Sequence, residues 1–154
     1  EIVMCDWRYR KMRKAIDARI LKFSENEFVE SKSEVITQCI FELEQYFRGD
    51  LKTFTVPLAL LGSNFQQSAW KALLAIPYGE TRSYLELSKQ LGNEKAIRAV
   101  ASANGANAIS IIVPCHRVIG SNRELTGYAG GLPAKKKLLE LEGVRLETQQ
   151  KLEF

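Results

Sequence analysis

At 154 residues, 45% hydrophobic and 26% charged, the chain has the size and balance of one globular domain, or of a core with a smaller N-terminal subdomain, and is not disordered or repetitive. Its apolar runs, such as residues 109–113, fall far short of the roughly 20 residues that span a bilayer, no basic-then-apolar export pattern opens it, and its three cysteines make no disulfide framework, so a cytoplasmic protein is expected. The net charge of +4 fits a polyanionic partner or simply a basic, solvated surface.

Residues 1–30 join a short apolar start (IVMC) to a charged stretch and read as a strand or hairpin. From Ser33, a plausible cap, Val35, Ile36, Cys39, Ile40, Leu43, Tyr46 and Phe47 recur at helical spacing, and Gly49 follows as a stop. Cys39 on that stripe reads as a core residue. A short strand-like piece within residues 51–63 leads through Leu61, Gly62 and Ser63 into a second helix, where Phe65, Ala69, Trp70, Leu73 and Leu74 share a face until IPYGE breaks it.

Two short helices come next, from about Ser83 to Leu91 and from about Glu94 to Ala103, around a break at Gly92 and Asn93. This is the pattern of a helix-turn-helix, and equally of an ordinary helical hairpin. The second helix surrounds one arginine, Arg98, with small residues that include Ala96 and Ala99. A base-reading helix normally presents several long polar side chains; this one suits either close approach to a narrow groove or tight helix packing. The apolar, strand-like ISIIV then runs into PCHRVIG, a polar glycine-rich stretch carries TGYAGG, and a last amphipathic helix begins near Pro133, turns Leu138, Leu139 and Leu141 inward, and ends at Glu142 and Gly143.

PCHRVIG holds the single histidine of the chain, His116, beside Cys115. A cysteine is a nucleophile as its thiolate, which a nearby histidine or positive charge promotes by lowering the pKa, and Arg117 follows at once. Neighbours in extended chain point to opposite sides, so His116 reaches Cys115 through a water or a sharp turn after Pro114. The residues alone leave two possibilities, a reactive cysteine or a small buried hydrophobe. Cys5, Cys39, Cys115 and His116 lack the short chelating spacing of a zinc site.

The order of these strings decides between the possibilities. PCHRVIG, with Asn107 eight residues before the cysteine and GYAGG behind it, resembles the active-site signature of O6-alkylguanine-DNA alkyltransferases. The resemblance extends over residues 65–143, through FQQSAWKALLAIPYGETRSYLELSKQLG, AIRAVASANG, ISIIVPCHRVIG, TGYAGG and LLELEG, and is loose before them.

The resemblance implies an α/β fold: a small N-terminal sheet-plus-helix subdomain over residues 1–60, then a mostly helical alkyltransferase domain with the helix-turn-helix over 61–154. It implies DNA repair in a single turnover, with an alkyl group moving from O6 of guanine, or the related O4 of thymine, to Cys115. In the carried-over roles Glu142 orients His116, which takes the Cys115 proton through a water; Asn107 braces the active-site turn; and Tyr84 donates toward guanine N3. Arg98 enters duplex DNA from the minor groove and fills the gap of the flipped-out lesion, with Ala96 and Ala99 permitting close approach. The backbone at Cys115 and Val118 accepts from the guanine amino group, and Tyr128, Ala129 and Gly130 wall the pocket near O6.

The family commonly has proline where this chain has Ala108, so a less rigid turn is expected. With its one histidine already assigned, no zinc, and no cofactor, is expected; the implied partner is double-stranded DNA containing O6-alkylguanine, met by a monomer. An alkyltransferase-like protein that binds lesions without chemistry is the alternative, and such relatives replace the cysteine that this chain keeps. A Cys-His hydrolase or a helix-turn-helix regulator is a further reading.

Overall fold

The computed structural model describes residues 1–146. Helices α1 (Arg13–Ser24), α2 (Glu34–Phe47) and α3 (Asn64–Leu74) precede strand β1 (Arg82–Ser83); α4 (Tyr84–Gln90), α5 (Ile97–Gly105), strand β2 (Val118–Ile119) and α6 (Leu132–Leu141) follow. The fold is mostly helical, and β1 and β2 pair in parallel, Arg82 opposite Val118 and Ser83 opposite Ile119. In the N-terminal part the pairing between extended segments consists of two isolated parallel bridges, Ile2 with Leu58 and Cys5 with Ile109.

Serines start three of the helices. Ser33 Oγ accepts from the Ile36 amide at 3.1 Å, while Ser63 with Gln66 and Ser83 with Glu86 form reciprocal capping boxes. Each satisfies amides left over at a helix start, and losing such a cap costs about 1 kcal/mol. Gly49 and Gly92 adopt the left-handed conformation that ends a helix, with φ of 81° at both. Gly92 and Asn93, whose side chain accepts from the Lys95 amide at 3.0 Å, turn α4 into a short 3-10 turn (Glu94–Ala96) and then α5. The helix-turn-helix read from sequence is therefore present, with α5 as its second helix.

The main core gathers Trp70 and Leu73 of α3, Leu87 of α4, Val100 of α5 and the residues Ile112, Val113 and Val118 around the cysteine. The Trp70 indole donates to the Ala103 carbonyl at 2.8 Å, pinning α3 to α5. Ile2, Cys39 and Val56 join the same cluster. The N-terminal part is thus built into the layer that carries the cysteine.

Four local readings change. Residues 13–24 form a helix where a strand or hairpin was expected. Only Ile16 and Ile20 of α1 are buried, too sparse a stripe for periodicity to show. On α2, Cys39 and Tyr46 are buried while Ile36, Ile40 and Phe47 stay exposed, so the apolar stripe is wider than the covered face. Phe65 and Leu74 likewise lie at the exposed edge of α3. Residues 109–113 are buried but are not a strand: after the bridge at Ile109 the chain turns, with Ile111 at φ 72°, a costly conformation for a β-branched residue.

Candidate active site

The turn after Pro114 places Cys115, His116 and Arg117 on one 3-10 turn, all three buried. Cys115 reaches the floor of an open cavity of about 800 Å³, which Tyr84, Ala101, Asn104, Tyr128, Ala129 and Gly131 also line. The wall therefore comes from the start of α4, the inner face of α5 and the loop before α6.

Behind Cys115 lies a buried carboxylate on which four side-chain donor atoms converge. Glu142 Oε1 is 2.7 Å from His116 Nε2 and accepts from the Tyr46 hydroxyl at 2.7 Å. Arg117 donates to Oε2 through Nε at 2.8 Å and to Oε1 through Nη2 at 3.0 Å, and its Nη1 donates to the Ile76 carbonyl at 2.6 Å. Burial alone would raise the Glu142 pKa, but the hydrogen bonds from His116 and Arg117 prevail and hold it at about 2. Ionised Glu142 fixes the imidazole with Nε2 toward itself, and Nδ1 is buried without a protein hydrogen-bond partner.

The thiol departs from expectation in one respect. Burial raises the Cys115 pKa, and a hydrogen bond from the Asn107 side chain and the positive charges of Lys135 and Arg10 only oppose that rise. Arg117 does not lower it as the sequence suggested, because its guanidinium is spent on Glu142 and Ile76. Burial also lowers the His116 pKa, against the pull of Glu142. At rest, then, a neutral thiol stands beside a neutral imidazole, and the sulfur becomes a nucleophile only if its proton moves.

Asn107 is buried in the turn that leads to the cysteine. Its amide donates to the Val113 carbonyl at 2.9 Å and its side-chain oxygen accepts from the Ile109 amide at 2.9 Å. Ala108 is buried against Ile16 and Ile20, and its carbonyl accepts from the Cys5 amide at 2.9 Å, so the turn is held by the N-terminal segment.

The remaining sequence candidates divide. Tyr84, Tyr128 and Ala129 line the cavity. Arg98 and Ala99 are exposed on α5, with Arg98 one turn ahead of the cavity-lining Ala101, while Ala96 is half-buried against the core. At Gly130 a Cβ would meet the Trp7 indole, 2.7 Å from Nε1, and its neighbours Ala129 and Gly131 line the cavity. Val118 is fully buried, and its carbonyl already accepts from Lys135 Nζ at 2.5 Å.

As site residues, Lys135, Tyr46 and Arg10 were not evident in the sequence. Lys135 is buried with its Nζ on the carbonyls of Val118 and Thr126, and burial lowers its pKa to about 8. Its spacing to Leu138, Leu139 and Glu142 on one helical face was the available signal. Tyr46 and Arg10 act across long sequence separations and left none. Among the described residues no group of three or more histidine, cysteine or acidic side chains is placed to hold a metal.

The 6-O-methylguanine DNA methyltransferase DNA-binding domain family matches residues 64–144. A methylated-DNA--protein-cysteine methyltransferase of Methanosarcina acetivorans is 62% identical over 102 residues, which cover 66% of this chain and 65% of that protein. The protein of the same name from Mycobacterium tuberculosis is 60% identical over 104 residues, covering 68% of this chain and 63% of its own length. The matched stretches thus span just under two thirds of these relatives. Among solved structures, Mycobacterium tuberculosis OGT in complex with DNA superposes with a TM-score of 0.68 at 57% identity, covering 70% of this chain and 65% of that one. The O6-methylguanine-DNA methyltransferase of Pyrococcus kodakaraensis gives 0.69 at 27% identity, covering 87% and 78%.

Proposed function

The chain belongs to the 6-O-methylguanine DNA methyltransferase family, and from that premise we propose that it repairs DNA by moving an alkyl group from O6 of guanine to Cys115. The observation that carries this reading is the buried Glu142–His116 pair set directly behind a cysteine that opens into a cavity. A Cys-His hydrolase would need a thiol that is regenerated; the thioether formed by alkyl transfer is stable, so each molecule reacts once.

The lesion is flipped into the cavity, because its O6 substituent is out of reach inside the stack. His116 Nδ1 takes the Cys115 proton through one water, and the sulfur attacks the alkyl carbon. A carbon–sulfur bond forms as the carbon–oxygen bond breaks, and the electrons of that bond pass into the guanine ring. Tyr84, at the first turn of α4 and on the cavity wall, donates toward N3 and supports that developing charge. Lys135 and the Asn107 amide stabilise the transient thiolate.

Duplex DNA is gripped from its minor groove by α5. Exposed Ala99 and the small residues near it let the helix approach, and Arg98 fills the gap left by the flipped nucleotide. The Val118 carbonyl, already bonded to Lys135, uses its second lone pair for the guanine amino group, alongside the Cys115 carbonyl. Residues from 61 on carry the grip and the chemistry, and residues 1–60 support them. The protein acts as a monomer in the cytoplasm, without metal or cofactor; no helix among the described residues is long and apolar enough to cross a membrane.

The test is the mass of the Cys115 peptide after incubation with duplex DNA holding one O6-methylguanine. One added methyl group per molecule is expected. An unmodified peptide from folded, DNA-bound protein would show a lesion binder without chemistry.

A further inference from the structure

We propose that residues 6–10 are a positioning clasp for alkyl transfer, which sets the distance between the two walls flanking Cys115. The inference rests on the alkyl-transfer reading, and it assigns a role to residues outside the 64–144 family match.

One end of the segment holds the turn that leads to the cysteine. Arg10, buried with Asp6, donates to both Asp6 carboxylate oxygens at 3.0 and 2.9 Å, to the Asn107 carbonyl at 2.5 Å and to the Gly105 carbonyl at the end of α5. Asp6 also accepts from the Ser110 hydroxyl at 3.2 Å, and the Ser110 amide donates to the Cys5 carbonyl at 2.7 Å. These bonds grip the chain immediately before the strained Ile111. The other end holds the opposite wall. The Trp7 indole donates to the Tyr128 hydroxyl at 3.2 Å and meets that ring edge-on, at 5.9 Å between centroids. The Tyr9 hydroxyl donates to the Gly130 carbonyl at 3.0 Å, and Gly130 has no Cβ where the Trp7 indole lies.

Beyond the end of α5 and the single bridge at Ile109, neither wall segment has repetitive structure of its own where it is gripped. Residues 106–113 and 126–130 are turns and coil, so their spacing depends on what ties them together. Asp6 and Arg10 hold one and Trp7 and Tyr9 the other within a single five-residue stretch, and Tyr9 and Arg10 themselves line the cavity. Displacement of one wall by about 1 Å is enough to slow an in-line displacement by up to about 100-fold.

Tyr9 is 66% exposed, so Tyr9→Ala removes the latch without opening the core, and Trp7→Phe keeps a ring while deleting its N–H donor. Single-turnover transfer from O6-methylguanine duplex is measured against DNA concentration, with iodoacetamide capture of each cysteine as a second readout. Both variants are expected to lower the limiting rate about tenfold while the half-saturating DNA concentration changes by less than about twofold. Cys115 should be captured faster and buried Cys39 at the wild-type rate, a combination that general loosening does not give. Unchanged limiting rates in both variants, or equal exposure of Cys39, would overturn the clasp. A wild-type protein that transfers no methyl group would overturn the underlying reading as well.

Discussion

The Lys135 ammonium donates to the Val118 carbonyl across 2.5 Å with its residue sealed from solvent, and its charge bears on the Cys115 thiol. A buried cation of this kind helps the thiolate form, at a cost to the fold. Lys135→Met should move the pH profile of iodoacetamide capture at Cys115 to higher pH.

The same lysine gives a pH-dependent stability. Its folded pKa, about 8, lies below the ordinary 10.5, so between those values the unfolded chain binds the proton more tightly and this group's contribution to stability rises with pH. Denaturant midpoints of wild type minus those of Lys135→Met should therefore grow from pH 8 toward 10.5. A difference that shrinks over that window would contradict the burial of the charge.

Glu142 acts in the same direction in an acid window. Its carboxyl is held at about 2 against an ordinary 4.5, so its stabilising contribution is complete above about 4.5 and is lost as pH falls toward 2. Glu142→Gln leaves Arg117 buried without its carboxylate, which costs about 3–5 kcal/mol. Wild type should show an acid transition in calorimetry that this variant lacks, and the variant's alkyl transfer should be slower.

Because burial lowers the His116 pKa below its ordinary 6.5, the imidazole stays ready to accept a proton throughout the neutral range. Protonation of His116 should therefore cost no rate near pH 7 and should slow transfer in acid, below 6.5. Rapid-quench measurements in a constant-ionic-strength buffer series test this, and a fall already in place at pH 7 would require a different proton acceptor.

Arg98→Ala should separate binding from flipping. The exposed side chain contributes little to the fold, and unstacking a base costs a few kcal/mol, so if Arg98 fills the gap as proposed, its loss should slow transfer about tenfold or more. Duplex affinity should fall far less. A fluorescent base beside the lesion reports the extrusion directly.

Much of the fold and site was legible in local strings. Ser33, Ser63 and Ser83 announce their helices, Gly49 and Gly92 end theirs, and each acts through neighbours within a few residues. The grouping of Cys115, His116 and Asn107 is what the family resemblance of the strings around them implies. What stayed hidden acts across the chain. Arg10 meets Asn107, Trp7 meets Tyr128 and Tyr46 meets Glu142, and no periodicity encodes a contact between segments so far apart. The α1 helix was hidden for another reason: a surface helix anchored by Ile16 and Ile20 presents mostly charge, and charge alone does not choose between helix and loop.

The convergence of Tyr46, His116 and Arg117 on Glu142 also bears on biosynthesis. During translation Cys115 emerges well before Glu142 and the helix that delivers it, so the nascent chain carries its thiol for a time without an oriented imidazole. If the proposed one-time alkyl transfer depends on that imidazole, it cannot occur until the segment that ends α6 has left the ribosome and docked.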